Sequence, residues 1–406
     1  MTVYDILAGV RVVEVSQFAF VPAAGAILAD WGADVTKVVH PVYGDVMHTA
    51  SSSGLAPLPD GTAYMWEIVN RNKRSIGIDI ANADGREVLY DLVRGADVFM
   101  TNFLPSARAK LKIDVDDIKA LNRSIVYARG SGHGPHGPDR DAPGYDAVSL
   151  WARTGYGHAF TMATGSFVAQ PGPGSGDLPS GLALAAGVTG ALFRRERTGA
   201  GAVVDVSLMA AGIWGLAGSI TASKLYGMEH VPIRLRETPG NALFAGYETQ
   251  DHRWLFFGGL VHGQGYRDFA QRIGRPELAS DPRFADEAAR QAHHAEFVAE
   301  LVDAFASRTL AEWCVALQGC EIAWSAVQAE GELHDDAQVV ANGYIQDGGK
   351  ETCPGLRLPA SPVAFDEQPP SMRVAPEPGA DTEAILQELG RSWEDIAALK
   401  AGGAVT

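Results

Sequence analysis

The first third of the chain alternates short runs of β-branched residues with stretches of helical character. VRVVEV (10–15) and ADVTKVV (33–39) predict strands, and Pro22–Trp31 between them predicts a helix that opens with proline in its first turn. The alternation continues with predicted strands at 74–80, 96–102 and 124–130 and a predicted helix at 85–94. Strands that alternate with helices form a mostly parallel, covered sheet. We therefore predict an α/β fold with a Rossmann-like large domain.

Two common nucleotide and hydrolase signatures are absent from the chain, and a third, the dinucleotide-binding GxGxxG, is absent after the first predicted strand. SQFAFVP (16–22), rather than GxGxxG, follows the first predicted strand, which argues against a dinucleotide pyrophosphate site. The chain also contains no GxxxxGK[ST] and no GxSxG, so neither a P-loop nucleotide hydrolase nor an α/β-hydrolase serine is indicated. The sequence therefore predicts a Rossmann-like arrangement without the dinucleotide.

The length of the chain indicates more than one hydrophobic core. Its 406 residues exceed what one core usually covers. Around 225–335 the pattern changes to separate strands and amphipathic helices, including one predicted over 285–305, which marks a candidate second domain. Thr309 and Glu312 have capping-box spacing at the start of the next helix.

Charge and composition restrict the partners of the protein. The formal net charge is −16 and the isoelectric point is about 5.1, which argues against a nucleic acid or an anionic membrane as the main ligand. The N-terminus lacks the pattern of a signal peptide, and the longest apolar runs are shorter than the roughly 20 residues of a membrane helix. Three cysteines without CxxC spacing indicate neither a disulfide framework nor a thiolate metal site, and they fit a cytoplasmic location.

Asp177 stands where a loop of glycine and proline meets an alanine-rich helix. This loop (159–176) and an earlier one (131–145) are long for a packed domain, and such loops commonly have a function. An aspartate at a helix start ordinarily caps the helix, and the helix start favours its ionised form. The small residues around Asp177 also leave room for a bulky ligand, and a carboxylate can act as a covalent nucleophile. Position alone leaves both roles open.

Other polar residues lie within the earlier loop. Tyr145 and Asp146 close it as GYD, where packing and helix capping are their ordinary roles. His133 and His136 have HxxH spacing, but no nearby Glu or Cys completes a ligand set. We therefore predict no metal site.

A basic segment is a candidate for holding an anionic ligand. NRNKRS (70–75) places three basic side chains beside two asparagines at the entry to a strand. Such a cluster is either a solvated loop or a grip for a phosphate or a pantetheine arm. Arg108 and Lys110, which follow TNF (101–103), extend this candidate grip.

Nine motifs are spread over essentially the whole chain. They are LAGVRVVEVS, LADWGADVTKV, NRNKRSIGIDI, GADVFMTNF, PGYD, GD before the alanine-rich helix, RTGAGAVVDVSL, RPELASDPRF and ILQELGRSWEDIAALKAGG. Each motif is weak alone, but their order and spacing together are specific. Together they resemble the class III (family III) CoA-transferases, which include formyl-CoA transferase, carnitine CoA-transferase and the related α-methylacyl-CoA racemases.

The resemblance implies a Rossmann-like large domain formed by 1–222 and 341–406, a smaller α+β domain at 223–340, and an interlocked homodimer. It implies an enzyme of the class that transfers sulfur-containing groups. Such an enzyme moves CoA from an acyl-CoA donor to a carboxylic acid. CoA and acyl-CoA are then substrates, and no prosthetic group or metal is expected.

The resemblance also implies roles for individual residues. Asp177 attacks the acyl-CoA thioester to give a mixed anhydride and then an aspartyl-CoA thioester, and Asp146 and Tyr145 join it as catalytic residues. The residues placed at the CoA site are Ala19, His40, Asn70, Asn72, Lys73, Arg74, Asn102, Phe103 and Lys110.

The sequence departs from its relatives at several of these positions. Ala19 stands where formyl-CoA transferase has glutamine, His40 where it has an arginine, and TPGNA around Gly240 where it has a tetraglycine loop. These differences argue against oxalate as a substrate. Tyr145 stands where the racemases have a histidine, and a tyrosine phenol is a weak base at neutral pH. Transfer is therefore favoured over two alternatives, an acyl-CoA racemase or epimerase acting at the α-carbon and a non-catalytic CoA-binding paralogue.

Overall fold

The computed structural model divides into two compact units. The residues that it describes are 4–48, 63–259, 262–351 and 353–406. The larger unit comprises Met1–Val231 and Ala337–Thr406, and the smaller unit comprises Pro232–Asp336. Every candidate site residue of the sequence lies in the larger unit.

A six-stranded parallel sheet forms the centre of the larger unit. Its strands are β1 (Arg11–Val15), β2 (Asp34–Val39), β3 (Arg74–Gly77), β4 (Val98–Thr101), β5 (Val126–Ser131) and β6 (Val203–Ser207). They lie in the order β3-β2-β1-β4-β5-β6, and every neighbouring pair is parallel. This arrangement confirms the predicted α/β fold with a mostly parallel sheet. Strand order reverses between β1 and β4, and α/β sheets bind ligands outside the carboxyl ends of strands at such a switch point.

Helices cover both faces of this sheet. The helices of the described chain are α1 (Phe20–Asp30), α2 (Tyr64–Asn70), α3 (Ala83–Arg94), α4 (Pro105–Leu111), α5 (Val115–Leu121), a π-helix (Asp146–Ala152), α6 (Tyr156–Thr164), α7 (Asp177–Thr198), α8 (Leu208–Gly215), α9 (Ala217–Tyr226), α10 (Gly263–Arg272), α11 (Glu287–Ala292), α12 (His294–Phe305), α13 (Leu310–Ala316), α14 (Ala337–Asn342), α15 (Thr382–Glu388) and α16 (Trp393–Ala401), with 3-10 turns at Pro276–Ala279 and Glu330–His334. Leu28 of α1 and Leu184 of α7 are buried in one core, and Leu89, Ile118 and Ile396 belong to the core on the other face. None of these described helices is both long enough and apolar enough to cross a membrane.

The smaller unit has its own sheet and core. Its antiparallel strands are β7 (Gly246–Glu248), β8 (Trp254–Phe257) and β9 (Trp324–Ala326), while β10 (Ile345–Asp347) and β11 (Arg357–Pro359) pair in the larger unit. The core of the smaller unit is rich in aromatic residues, among them Tyr247, Phe257, Phe269, Phe305 and Trp313. Thr309 and Glu312 form the predicted capping box at the start of α13.

The helix predicted over 285–305 is broken into α11 and α12 at His293. The next residue, His294, is buried, and its ring nitrogens lie 3.1 Å from the Gly240 carbonyl oxygen and 2.9 Å from the Arg236 carbonyl oxygen. This contact joins α12 to the segment that contains TPGNA. Hydrophobic periodicity does not reveal this break in the helix, because it is a local pattern and the contact of His294 joins residues far apart in sequence.

Candidate active site

A cavity of about 700 Å³ lies at the carboxyl ends of four strands of the parallel sheet. Phe18 lines it after β1, Asn102 follows β4, Ser131 ends β5, and Leu208 follows β6. These strand ends meet at one edge of the sheet because all the strands run in the same direction. Asp177 adds its carboxylate to the lining.

Asp177 is the first residue of α7 and is partly buried. Gly176 occupies the N-cap position, so the helix start has no side-chain cap. Among the residues that the structure describes, none donates a hydrogen bond to the Asp177 carboxylate. The ordinary capping role is therefore not observed, and the carboxylate remains available to a ligand in the cavity.

The electrostatic surroundings of Asp177 differ from the expectation for a helix start. Burial, and after it the negative charge of Asp146, raise the pKa of Asp177 from an ordinary 3.8 to about 7. The helix start was expected to favour the ionised form. Loss of hydration and the like charge outweigh that effect, so they favour the protonated form of Asp177 far more than an ordinary helix start would.

Asp146 is buried in the first turn of the π-helix. Its carboxylate accepts hydrogen bonds from the backbone N–H groups of Ala147 at 2.8 Å and Gly176 at 3.4 Å. A Cβ atom at position 176 would lie 2.9 Å from the Asp146 Cβ, so only glycine fits there without a shift. The absence of a side chain at Gly176 therefore allows Asp146 to pack close to the start of α7, next to Asp177.

Tyr145 lies beside Asp146 and is 51% exposed. Its ring meets that of Phe18 edge to face, with centroids 5.2 Å apart. A Cβ atom at Gly144 would lie 2.6 Å from the Gly132 Cα, so the two ends of the loop after β5 pack backbone to backbone. The structure thus brings Tyr145, Asp146 and Asp177 to one place, as the resemblance implied, although their catalytic roles stay predictions.

Several of the residues predicted to bind CoA lie at cavities. Asn102 and Phe103 line the main cavity, and Phe103 also lines a second cavity of about 240 Å³. His40 lines this second cavity at the carboxyl end of β2. Lys110 is exposed on α4, where its neighbour Arg108 lines the main cavity. These positions are compatible with contact to a long ligand that extends over both cavities.

The predicted grip at NRNKRS is corrected by the structure, because five of its six residues, all but Arg74, are buried inside the protein. The Lys73 Nζ is 2.7 Å from a carboxylate oxygen of Glu14 and 3.0 Å from the Asn70 side-chain oxygen. The Asn72 amide donates to the Asp30 carboxylate at 2.8 Å. These buried side chains are engaged with internal partners, so we no longer count Asn70, Asn72 and Lys73 among the candidate CoA contacts.

Arg74 and Ala19 also lie outside the lining of the two cavities. Arg74 forms ion pairs with Asp34 and Glu388. Ala19 is buried at the start of α1 and packs with Met65. Neither side chain therefore supports the contact with CoA that was predicted for it.

Sequence reasoning did not select Phe18 or the Arg129–Asp205 ion pair, which also line the cavity. Phe18 has a left-handed backbone with φ +64°, and Arg129 faces Asp205 across β5 and β6. Their positions at strand ends of a Rossmann-like sheet were the available signal. In the segment after β1, the lack of GxGxxG and the substitution at Ala19 were considered, but Phe18 was not.

A sequence model described as CoA-transferase family III matches residues 7–382. The chain is 32% identical over 392 residues to (R)-2-hydroxy-4-methylpentanoate CoA-transferase of Clostridioides difficile, which covers 96% of this chain and 97% of that protein. It is 30% identical over 400 residues to cinnamoyl-CoA:phenyllactate CoA-transferase of Clostridium sporogenes, covering 98% and 96%.

The fold is also similar to that of a solved structure. The structure resembles the crystal structure of a CAIB/BAIF family protein from Brucella suis with a TM-score of 0.82 and 26% identity, covering 94% of this chain and 99% of that one. The match of sequence and fold over nearly the full length confirms the resemblance seen in the motifs. The chain therefore belongs to CoA-transferase family III.

Proposed function

We propose that this protein transfers CoA from an acyl-CoA donor to a carboxylic acid with Asp177 as the nucleophile. One observation carries the proposal: a partly buried carboxylate, without a hydrogen-bond donor among the described residues, lines a cavity at the switch point of the sheet. Structural carboxylates at helix starts normally accept backbone hydrogen bonds. A carboxylate kept without them is suited to react.

The reaction proceeds through exchanges of one activated acyl group for another. A carboxylate oxygen of Asp177 attacks the thioester carbonyl, the C–S bond breaks, and CoA leaves as a thiolate while a mixed anhydride forms. The thiolate then attacks the aspartyl carbonyl of the anhydride, which releases the donor acid and leaves an aspartyl-CoA thioester. The acceptor carboxylate attacks the aspartyl carbonyl of this thioester, which releases the CoA thiolate and forms a second mixed anhydride. The thiolate then attacks the acceptor carbonyl of that anhydride, so the acceptor leaves as its acyl-CoA. Asp177 is restored without net proton transfer.

The environment of Asp177 supports this role. A carboxylate with little hydration is a stronger nucleophile than one in bulk water, provided that it is ionised when the thioester arrives. Backbone N–H groups at the glycine-rich approach to α7 are suited to stabilise the tetrahedral oxyanion. Tyr145 and Asp146 border the same place, and we propose that Asp146 tunes the pKa of Asp177.

We propose that CoA occupies the two cavities. They share Gln17, Phe103 and Leu111 in their linings, so one extended ligand can contact both. Arg108 lines the main cavity, where its charge is paired with Asp114, Lys110 is exposed on the same helix α4, and His40 lies at the second cavity. Positive side chains close to the ligand are required because the chain as a whole is acidic.

We propose 2-hydroxy acids with an apolar side chain as the acceptors. Both transferases reported above carry such an acid in their names. The cavity that contains Asp177 is also lined by Phe18, Phe20 and Leu208, which suit an apolar side chain. Neither of these two relatives is named as a racemase or as a non-catalytic binding protein.

The proposal is tested by mass spectrometry of the intact protein and of its peptides. Incubation with a panel of acyl-CoA thioesters should add CoA to the peptide that contains Asp177 as a hydroxylamine-sensitive thioester. Subsequent addition of an acid such as phenyllactate should remove this CoA and yield the acyl-CoA of that acid. Asp177→Asn is the matched control and should form no adduct. Deuterium uptake at the substrate α-carbon without adduct or transfer would instead indicate a racemase.

We also propose that the protein is a homodimer. Helices α8 and α9 expose large apolar side chains, including Trp214, which is 83% exposed, Leu225 and Tyr226. Exposed apolar patches of this kind mark interfaces between proteins.

Light scattering should give twice the chain mass of 43.0 kDa, and Trp214→Glu should shift the protein toward the monomer because it places a charge in the apolar patch. Trp393→Glu, at an exposed tryptophan on α16, is the control and should leave the mass unchanged. A monomeric wild-type protein would contradict the proposal.

The rate of transfer should follow the ionisation of Asp177. Because its pKa is raised to about 7, kcat/KM should rise tenfold per pH unit below that value and level off above it. Asp146→Asn removes one of the two causes, so the midpoint should move toward 3.8 without reaching it, since burial remains. Rate profiles between about pH 5 and 9 measure both midpoints. An unchanged midpoint in Asp146→Asn would show that Asp146 does not tune the nucleophile.

A further inference from the structure

The side chain of Asn102 joins the ends of two strands at the switch point. Its Oδ1 accepts the backbone N–H of Gln17 at 3.0 Å, and its Nδ2 donates to the Gln17 carbonyl oxygen at 2.6 Å. Gln17 lies just after β1 and Asn102 just after β4. Both polar ends of the amide are thus used within the protein, so Asn102 acts here as a brace between β1 and β4.

Phe18, the residue that follows Gln17, has a backbone conformation that is unfavourable for a residue other than glycine. Phe18 has φ +64°, in the left-handed region that non-glycine residues occupy rarely and at a cost of about 1 kcal/mol or more. Such a conformation persists when the surrounding structure enforces it. The two hydrogen bonds between the Asn102 side chain and the Gln17 backbone hold the residue immediately before Phe18, which makes them a source of that constraint.

The enforced conformation places the Phe18 ring in the cavity wall. There it packs edge to face against Tyr145, and both rings line the cavity that contains Asp177. Phe20 lines the same cavity, and Gly130 makes room for it, since a Cβ there would lie 2.7 Å from the Phe20 ring. An aromatic surface therefore lies within the cavity of the proposed nucleophile.

We infer that the Phe18–Tyr145 pair selects the side chain of the acid substrate and that Asn102 is a positioning residue for this pair. The favoured acids carry a flat aromatic or a branched apolar side chain, because such groups bury area against the rings and an aromatic group adds edge-to-face contact. This inference rests on the proposed transferase function. It assigns Asn102 to holding Phe18 rather than to binding CoA.

The inference is tested by competition between two acids that differ only in their side chain. Phenyllactate and lactate share the carboxylate and the 2-hydroxyl group, so the ratio of their kcat/KM values reports contacts of the acid side chain, and variants of Phe18 and Asn102 measure the share of the Phe18–Tyr145 pair. With the acyl-CoA that gives the strongest Asp177 adduct as donor, the wild type should prefer phenyllactate. Phe18→Ala and Asn102→Ala should each lower this ratio by roughly 10-fold to 100-fold.

Two further variants separate the wall from general damage. Phe18→Gly suits the left-handed backbone, so it should keep or raise the thermal stability and still lower the ratio as Phe18→Ala does. Tyr145→Phe keeps both rings and should preserve the preference. Equal loss of rate with both acids in Phe18→Gly, or an unchanged ratio in Asn102→Ala, would overturn the inference while transfer itself continues. A wild type that transfers to neither acid and forms no Asp177 adduct would instead refute the proposed function.

Discussion

Asp177→Asn is expected to lower the rate of CoA transfer by roughly a thousandfold or more, as removal of a covalent nucleophile does in other enzymes. The amide has nearly the shape of the carboxylate but is neutral, so it cannot form the anhydride. Steady-state kinetics with the best donor and acceptor measure this loss, and KM for the donor should change much less than kcat. Asp177→Glu should recover little activity, because it keeps the charge but displaces the oxygen atoms from the thioester.

The same substitution has a second expected result that a purely structural aspartate would not give. The folded-state pKa of Asp177, about 7, lies above the ordinary 3.8, so the wild type is most stable below pH 3.8 with respect to this group and loses that stability as the pH rises toward and through 7. Asp177→Asn cannot ionise at this position, so it does not lose stability in this way as the pH rises. At pH 8 it should therefore be more stable than the wild type, by up to about 4 kcal/mol.

Chemical denaturation of both proteins at pH 5 and pH 8 tests this expectation. The stability difference between them should grow with pH. A variant that is inactive and less stable than the wild type at pH 8 would indicate that Asp177 supports the fold. A variant that retains a tenth or more of wild-type activity would refute its role as nucleophile.

The second large effect is expected at Glu14, a fully buried carboxylate on β1. It contacts the ammonium groups of Lys37 at 3.1 Å and Lys73 at 2.7 Å. Burial acts to raise the pKa of Glu14, but the charges of Lys73 and Lys37 outweigh burial and hold the pKa below its ordinary value. Removing one partner from a buried ion pair leaves an uncompensated charge, which costs about 3–5 kcal/mol.

Glu14→Gln should therefore lower the free energy of unfolding by about that amount, as measured by urea denaturation followed by circular dichroism. Glu388→Gln is a matched control in the same unit, since Glu388 forms an exposed ion pair with Arg74 and should change stability by less than about 1 kcal/mol. Equal effects of the two substitutions would mean that the cluster around Glu14 is hydrated and does not support the sheet.

The candidate site was partly predictable from the sequence. Asp177, Asp146 and Tyr145 were selected because motif order assigned them to one family, and the structure places them together. Lys73 was selected because basic residues near a strand suggest an anion site, yet its ammonium group faces Glu14 inside the protein. The sequence shows that a basic residue is present but not where its side chain points. A lysine that pairs with a buried carboxylate therefore cannot be distinguished, from sequence, from one that contacts a ligand.

The sequence by itself determined the alternation of strands and helices, the parallel sheet and the membership of the family. These features depend on local periodicity and on the order of motifs, which can be read along the chain. Tertiary structure alone decided the raised pKa of Asp177, the internal role of Lys73 and the brace from Asn102 that holds Phe18. Each of these depends on distances between residues remote in sequence and on the water that folding removes from around them.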